Sequence, residues 1–490
     1  MAITAGSNLN SVLAPQKQTL ASNYIDFATA GSSDGWAQQY LPDLMEKEAE
    51  VFGNRTISGF LSQVGAEESM TSDQVVWSEQ GRLHLSYKGT LATDTSVVTI
   101  THDIDGNALT TTHGVRLNDQ VIVATAEGAV KCFVTDIDNT TVNKITCRPY
   151  EVEHIDDDAA ITAGQSAAAC TILVFGSEYA KGTDGQGSHA EGPKAIAPDF
   201  KSFTNKPIII KDYYEISGSD TAQIGWVEVS GEDGQNGYLW YLKAEGDTRA
   251  RFTDYLEMTM MESVKGVSGS SAVDGTDSIG TNFGTEGLFA AIEDRGNVTT
   301  GVTGVNAATD LAEFDAILAE FDKQGAIEEN MMFVNRTVAL AMDDMLASMN
   351  SYGAGGTSYG VFDNEEEMAL NLGFSGFRRG SYDFYKSDFK YLNDRSTRGG
   401  INDRNTTSPV RGVMIPAGVT SVYDQSLGKN LKRPFLHVRY RASQTDNRKL
   451  KTWITGSVGA TTSDLDAMQV NYLSERCLIT QGANNFMLMK

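Results

Sequence analysis

The spacing of hydrophobic residues changes part-way along this chain, and that change limits the folds it can adopt. Between residues 74 and 216, apolar residues alternate with polar ones, as in Val76-Trp-Ser-Glu-Gln-Gly-Arg-Leu-His-Leu-Ser-Tyr87, which is the period of a half-exposed β-strand. From Tyr238 to Met260 they recur every three or four residues, which is typical of one face of a helix. Strands followed by long helices predict a fold of the α+β class.

The first half of the chain is predicted to form a long hairpin with a second module inserted in it. We expect the run Lys206–Ile216 to return beside Val76–Tyr87. Between these two runs the sequence holds five short strand patterns separated by turn residues: Val97–Thr101, Gln120–Thr125, Val130–Thr135, Lys144–Arg148 and Cys170–Phe175. Five strands in so short a stretch predict a small β-barrel inserted into the hairpin.

The second half combines helices and strands. The helix that starts near Tyr238 is predicted to run to about Val264, with Gly246 as its weak point. Further helices are predicted at Asp310–Lys323 and Arg336–Met349, with the strand Met331–Val334 between them. An aromatic-alternating hairpin over Phe377–Tyr391 and four further strands are expected after them: Val410–Ile415, Phe435–Tyr440, Leu450–Thr455 and Glu475–Thr480.

Charge is divided unevenly along the chain. Residues 378–451 carry 16 Lys and Arg against 6 Asp and Glu, whereas the whole chain has a net charge of −25. A basic segment on an acidic molecule favours head-to-tail contacts between copies, which either repeat without limit or close into a shell. Self-assembly is therefore the first function that the sequence suggests.

The basic segment holds five arginines that are candidates for a subunit interface: Arg378, Arg379, Arg395, Arg398 and Arg404. Interleaved arginines and aromatics also suit nucleic acid, and they can equally form a plain solvated surface. Because aspartates alternate with the arginines and the rest of the chain is acidic, protein–protein contact is the favoured interpretation.

The sequence has only weak matches to catalytic and metal-binding motifs. We therefore predict no enzyme, no cofactor and no metal site. Gly356-Thr-Ser-Tyr-Gly360 matches a nucleophile-elbow string around Ser358, but it follows a helix end rather than a strand. Asp103-Ile-Asp-Gly-Asn107 resembles the start of a calcium loop and is predicted to be a β-turn instead. The four cysteines, Cys132, Cys147, Cys170 and Cys477, are expected to be free buried thiols. No apolar run is long enough to span a bilayer, so no membrane partner is expected.

The order of elements resembles the HK97-fold major capsid proteins of tailed bacteriophages. The stretch Ser202–Asp220 and the helix after it look like the loop return strand, its corner and the spine helix of that family. Phe333-Val-Asn-Arg-Thr-Val338 resembles the axial-domain strand entering a helix, and Tyr472–Asn484 resembles the final strand. Within the family, the chain looks most like the crAss-like phages.

The resemblance implies a division of the chain into five parts. It implies an N-terminal arm at 1–53, an E-loop with its return strand at 54–92 and 178–232, and a β-rich insertion domain at 93–177. A peripheral domain with the spine helix is implied at 233–304 and 456–490, and an axial domain at 305–455.

The same resemblance implies a function and partners. It implies self-assembly into hexamers and pentamers that form the icosahedral head shell around double-stranded DNA. Portal and auxiliary or decoration proteins are the implied further partners, and DNA is enclosed without sequence-specific binding. The implied location is the virion, after assembly in the bacterial cytoplasm. The alternative is a β-rich tail or fibre adhesin of a phage or bacterial surface, which predicts repeats and a β-stalk.

Overall fold

The computed structural model describes most of the chain after residue 65. The described residues are 66–80, 84–92, 96–109, 113–138, 143–155, 168–182, 200–223, 228–230, 236–274, 284–325, 327–350, 376–417, 419–424, 429–458 and 461–490. All of them belong to the unit Ile57–Lys490. The predicted N-terminal arm at 1–53 and the string around Ser358 lie outside the described residues.

The first part of the described chain is almost entirely β-structure. Its strands are β1 Ala66–Met70, β2 Val75–Gln80, β3 Ser86–Leu91, β4 Val97–Asp103, β5 Asp119–Ala124, β6 Ala129–Asp138, β7 Lys144–Pro149, β8 Ala168–Ser177, β9 Phe200–Asn205 and β10 Ile208–Ser217. Helices enter after β10: α1 Gly218–Gln223, then β11 Glu228–Ser230, β12 Asn236–Tyr238, α2 Leu239–Glu262, α3 Ser271–Asp274, α4 Leu288–Arg295, β13 Asn297–Thr299, α5 Ala307–Gln324, β14 Glu329–Val334 and α6 Arg336–Asn350. The last part comprises β15 Gly376–Arg379, β16 Tyr382–Asp388, α7 Lys390–Asn393, α8 Arg398–Arg404, β17 Gly412–Pro416, β18 Val419–Asp424, β19 Lys429–Pro434, β20 Leu436–Arg441, β21 Lys451–Gly456, β22 Ala467–Thr480 and β23 Met487–Met489. This composition confirms the predicted α+β class.

The predicted barrel is confirmed, with six strands instead of the five that were predicted. Six strands close in the order β3-β4-β7-β6-β5-β8. The extra strand is β3, which the alternating pattern had joined to β2 as one run. Alternate residues of each strand point inward, and the interior is filled by side chains such as Val98, Val121, Ile145 and Ile172, all fully buried. We call β3 to β8 the barrel.

A two-stranded ribbon connects the barrel to the rest of the chain, and here one expectation was wrong. β2 pairs in antiparallel register with β9, from Val75 opposite Asn205 to Gln80 opposite Phe200. The predicted return strand Lys206–Ile216 instead forms β10, which pairs with β22. Pro207 separates β9 from β10 because it has no N–H to donate to a ladder and breaks the run. We call β2 and β9 the ribbon.

The long helix packs on one face of a five-stranded sheet. The sheet has the order β1-β20-β22-β10, and β21 also pairs with β22. α2 continues through Gly246 for 24 residues, and at 1.5 Å per residue it is about 36 Å long. Its Phe252 and Leu256 pack with Val470 and Tyr472 of β22, and the rings of Phe252 and Tyr472 lie 5.8 Å apart.

A second, six-stranded sheet lies beside α5 and α6. Its order is β13-β23-β17-β14-β16-β15. Buried side chains of α5 and α6 share one core cluster with its strands, including Phe314, Phe321, Met342 and Phe384. The predicted hairpin at 377–391 is confirmed as β15 and β16, which turn at Gly380 with φ of 63°. The end of the chain joins the two sheets, since β22 lies in the first and β23 in the second.

Candidate assembly surfaces

The base of the ribbon is held by an arginine between two aromatic rings. Trp77 of β2 and Phe203 of β9 lie with ring centroids 6.1 Å apart. The Arg295 guanidinium lies 4.5 Å from the Phe203 centroid and 5.8 Å from that of Trp77. It also donates two hydrogen bonds of 3.0 Å to the Glu286 carboxylate. A cation placed over ring faces and paired bidentately is held in one orientation.

A buried asparagine ends the ribbon and ties it to both neighbouring segments. The Asn205 side-chain amide donates to the carbonyl oxygens of Leu478 at 2.6 Å and Glu286 at 3.1 Å. Its Oδ1 accepts from Thr285 Oγ1 at 3.1 Å and from the Glu286 N–H at 2.9 Å. Asn205 is fully buried. One side chain therefore fixes the exit of the ribbon relative to β22 and the loop before α4.

The C-terminal end of the long helix is tied to the basic segment. Glu262 accepts from Tyr391 Oη and from Arg398 Nη1, each at 2.7 Å. Burial, together with the bond to Glu262, raises the pKa of the Tyr391 hydroxyl. Since Arg398 is only 18% exposed, its charge neutralises this carboxylate rather than facing solvent.

Most of the basic segment is paired within its own chain. At least ten of its 16 basic residues form ion pairs: Arg378–Asp383, Arg379–Asp315, Lys386–Asp343, Arg395–Asp403, Arg398–Glu262, Arg439–Glu68, Arg441–Glu475, Arg448–Glu475, Lys449–Glu67 and Lys451–Asp446. Six different acidic partners come from outside residues 378–451, and two of these, Glu67 and Glu68, belong to β1. The segment thus attracts acidic parts of its own fold, including the strand that edges the five-stranded sheet.

The five predicted interface arginines differ in their surroundings. Arg379 is bonded to Asp315 of α5 by its Nε at 2.5 Å and its Nη2 at 2.7 Å, and Arg398 is bonded to Glu262. Arg395 is 91% exposed and lies 3.7 Å from Asp403, itself 67% exposed. Arg404 is exposed at the end of α8, and Arg378 is 56% exposed. The structure brings Arg395, Arg398 and Arg404 together around α8, and places Arg378 and Arg379 on β15.

One side of the barrel exposes apolar side chains. Cross-strand register places Gln120 of β5 beside Phe133 and Gly176, and Ile122 beside Leu173. Phe175 is the extra residue of a bulge in β8. Exposed Lys131 lies opposite Ile122 on this side. The apolar outward side chains there are Ile122, Phe133, Tyr150, Leu173 and Phe175, of which Tyr150, Leu173 and Phe175 are 39–48% exposed. We call these five residues the barrel face.

The five-stranded sheet has a second exposed apolar surface on the side away from the long helix. Register aligns Lys211 with Leu473 and Lys451, and Tyr213 with Asn471 and Trp453. Ile209 and Tyr213 are 53% and 56% exposed. We call Ile209, Lys211, Tyr213, Lys451 and Trp453 the sheet face. Exposed apolar side chains that form one contiguous patch can mark an interaction site.

The turn at Asp103 and the four cysteines lie in ordinary structural settings. Among the described residues, no group of three His, Cys, Asp or Glu side chains is placed to hold a metal ion. Asp103 accepts from the Asn107 N–H at 2.7 Å across a turn with Gly106 at φ of 93°, as predicted for a β-turn. The four cysteines are free and buried, as expected. No helix within the described part of the chain is both long and apolar enough to cross a membrane.

Among known proteins, only solved structures are similar to this chain. No protein-family model matches the sequence, and no curated protein matches it. A structure from Microbacterium phage Oxtober96 is similar over 93% of this chain and 97% of that one, with 8% identity and a TM-score of 0.39. The capsid structure of the Cyanophage P-SCSP1u matches 92% of this chain and 93% of that one, with 9% identity and a TM-score of 0.40. The capsid of an empty GTA particle covers 95% and 98%, with 12% identity and a TM-score of 0.34.

The residues that fix the ribbon were not found from the sequence. Asn205 and Arg295 lie 90 positions apart, and neither belongs to a motif. The available signal was a polar Asn directly before Lys206-Pro207, between two strand patterns. That position marked the end of a strand, but not the four hydrogen bonds made to distant segments.

Proposed function

We propose that this chain is the major capsid protein of a tailed bacteriophage, assembling as hexamers and pentamers into an icosahedral head shell around double-stranded DNA. The observation that carries the proposal is the attachment of the ribbon. It leaves the fold beside a sheet that is covered by one long helix, and the final long strand β22 lies at the centre of that sheet. This is the arrangement of E-loop, spine helix and returning strand that the sequence resemblance implies.

The predicted division into five parts is retained in this proposal. The barrel serves as the β-rich insertion in the E-loop, although its strand β3 lies before residue 93. α5, α6 and strands β14 to β17 form the body of the axial domain at 305–455, while β13 and β23 of the same sheet lie outside that range. β20 and β21, although inside that range, pair with β22 of the peripheral part at 456–490. We therefore infer that the two domains share a sheet rather than meeting at a hinge.

The partners follow from the same proposal. The chain binds copies of itself, and in the virion it meets a portal and auxiliary or decoration proteins. It encloses DNA without sequence-specific binding, since a chain of net charge −25 repels phosphate. Assembly takes place in the bacterial cytoplasm. Within this family, we propose a place near the crAss-like phages, which the sequence as a whole resembles most.

We propose an interface role only for those of the five arginines whose charge is exposed. Arg395 and Arg404 are exposed at α8 and are proposed to contact an acidic neighbour, with Arg378 as a third candidate. Arg379 and Arg398 already neutralise Asp315 and Glu262 in the same chain. Loss of Arg398 would leave Glu262, whose side chain is 30% exposed, with only its bond from Tyr391, so we expect this loss to disturb the fold. Asp315 is 48% exposed, so we expect loss of Arg379 to have a smaller effect on the fold.

Electron microscopy of the purified protein or its source particle tests the proposal. Closed shells with five-fold and six-fold capsomers are expected. Fibres would favour the alternative of a tail or fibre adhesin, and a protein that stays monomeric under all assembly conditions would overturn the proposal. No observation favours the adhesin at present, since the 24-residue helix is packed into the core rather than standing beside a β-stalk.

Charge reversal separates the two groups of arginines. The double variant Arg395→Glu, Arg404→Glu should keep the monomer fold and lose shells, while Arg398→Glu, which places a second carboxylate against Glu262, should lower the thermal stability of the monomer itself. Circular dichroism with thermal melting reports the fold, and microscopy reports the shells. Wild-type shells from the Arg395, Arg404 variant would remove these residues from the interface.

A further inference from the structure

The outer edge of β10 has no neighbouring strand in the described part of the chain, since β10 ends the five-stranded sheet and pairs only with β22 there. The Glu475 N–H of β22 bonds to Arg448 O, on the side away from β10, so Glu475 and Ile209 opposite it form a non-hydrogen-bonded pair. Bonding alternates along an antiparallel ladder, so every second residue of β10 directs its N–H and C=O to the open edge. These residues, which we call the β10 edge, are Ile209, Lys211, Tyr213 and Glu215.

Apart from the Tyr213 N–H, the outward backbone groups of the β10 edge have no hydrogen-bond partner among the described residues. The Tyr213 N–H donates to the carboxylate of its neighbour Asp212, with Oδ1 2.9 Å away. Arg251 of α2 donates to the other oxygen of that carboxylate at 3.2 Å. An open strand edge of this kind is a template on which another strand can pair.

The side chains of the β10 edge carry opposite charges at matched positions. Lys211 and Glu215 lie two residues on either side of Tyr213, are exposed, and have no ion-pair partner within the described chain. When two β10 strands run antiparallel with Tyr213 at the centre, Lys211 of each copy lies opposite Glu215 of the other. Centring the pair on Asp212 would place two carboxylates together, and centring it on Lys211 or Glu215 would place like charges together. Only the register centred on Tyr213 therefore gives two attractive charge pairs.

We propose that the β10 edge pairs with the β10 edge of a second copy of this chain, antiparallel and about a two-fold axis at Tyr213. The Tyr213 N–H then exchanges its bond to Asp212 for one to the Tyr213 carbonyl of the second copy, and the outward groups of Lys211 and Glu215 gain partners. The two Tyr213 rings, each 56% exposed in one chain, form a cross-strand aromatic pair. Both copies use the same surface, so the contact closes at two copies. It does not depend on the proposed shell function, and in a shell it lies on a two-fold axis.

Photocrosslinking tests whether the two edges meet. Tyr213→p-benzoylphenylalanine keeps an aromatic ring at the centre of the β10 edge. Equal amounts of unlabelled and ¹⁵N-labelled full-length chain are mixed, irradiated, digested and analysed by mass spectrometry, both as soluble protein and as shells. Mixed-label crosslinks from residue 213 to residues 211–215 of the other copy are expected. Mixed-label links only to other parts of the chain, links within one copy only, or no link in either sample would overturn the pairing.

Charge exchange tests the register, with the yield of the same crosslink as the readout. Lys211→Glu alone, or Glu215→Lys alone, places like charges opposite each other in both cross-strand pairs and should lower the mixed-label yield about tenfold. In a mixture of the two variants, both pairs again join opposite charges, so the yield between them should return to within about twofold of the wild type. A chain that carries both substitutions should recover in the same way. Single variants without a loss, or a loss that neither combination restores, would overturn the pairing.

The matched control is Lys144→Glu, which makes the same charge change as Lys211→Glu at an exposed residue of the barrel strand β7. It should leave the crosslink yield unchanged, and an equal loss in this variant would overturn the role of the β10 edge. Circular dichroism that matches the wild type shows that each variant folds. Shells without mixed-label links at residue 213 reject the pairing and keep the shell function, whereas mixed-label links in a protein that forms no shells keep the pairing and reject the shell.

Discussion

Replacing Asn205 by alanine should loosen the base of the ribbon more than any exposed change nearby. The substitution removes two donated hydrogen bonds, to Leu478 O and Glu286 O, and three accepted ones, from Thr285 Oγ1, the Glu286 N–H and the Lys206 N–H. The side chain is fully buried, as is that of Thr285. Water therefore reaches these groups only through the small space left by the missing amide.

The magnitude follows from the number of groups left unpaired. A buried polar group without a partner costs about 1–3 kcal/mol. Five groups lose a partner, but a water molecule entering the vacated volume restores part of the loss, so we expect about 3–5 kcal/mol in local stability. Each 1.4 kcal/mol is tenfold in an opening equilibrium, so amides at the ribbon base should exchange at least about 100-fold faster.

Hydrogen exchange followed by mass spectrometry measures this effect on peptides covering 200–206, 284–288 and 476–482. The matched control is Asn405→Ala, since Asn405 is exposed and its side chain bonds only locally to Ser408. That change should alter exchange at the ribbon base less than about threefold. If Asn205→Ala leaves exchange within the range of this control, Asn205 does not hold the ribbon and our account of its base is wrong.

Three further predictions concern the core and the buried titratable groups. Phe252→Ala should cost about 3–5 kcal/mol of unfolding free energy, because the ring is fully buried against Tyr472, while Tyr255→Ala on the exposed side of the helix should cost under about 1. Burial lowers the pKa of His113 from 6.5 to about 4. Between these two pH values His113 is protonated in the unfolded chain and neutral in the folded one. The free energy of unfolding should therefore fall by roughly 3 kcal/mol as pH drops from about 6.5 to 4. Burial raises the pKa of the Cys132 thiol to about 12, so native protein at pH 8 should not react with a thiol reagent, whereas denatured protein should show all four thiols.

These three predictions have distinct readouts. Urea unfolding monitored by far-ultraviolet circular dichroism compares Phe252→Ala with its control, and equal midpoints would contradict the packing of the helix. A His113→Leu variant should lose the extra acid sensitivity of the barrel, and an unchanged pH profile would show that another group causes it. Rapid labelling of native protein would show that the barrel interior is open.

The sequence predicts a strand or a helix of this chain correctly where one face of that element stays buried along its whole length. The alternation in the barrel strands and the three- and four-residue spacing in α2 reflect faces that stay buried over many residues. Boundaries failed where two elements share one pattern. Val76–Tyr87 read as one strand, although Val75–Gln80 belongs to the ribbon and Ser86–Leu91 to the barrel, because alternation records which side is buried and not which strand is the neighbour.

For the basic segment, the sequence shows the excess of positive charge but not the residues that it pairs with. The excess of 16 basic over 6 acidic residues in 378–451 was visible in the sequence and suggested a partner of opposite sign. That partner is in large part the chain itself, through Glu67, Glu68, Glu262 and Glu475. Coulomb attraction depends on distance in space, and residues such as Glu68 and Arg439 are brought to 2.8 Å only by the pairing of β1 with β20.

The sequence by itself determined the class of the fold, the barrel as a module, the long helix and the free thiols. Each depends on local periodicity or on residue type, which the order of amino acids records directly. Tertiary structure alone decided which strand returns beside β2, which arginines keep exposed charge, and that Asn205 and Arg295 hold the ribbon. Those outcomes depend on contacts between residues that lie tens to hundreds of positions apart, and only the closed fold sets the distances between them.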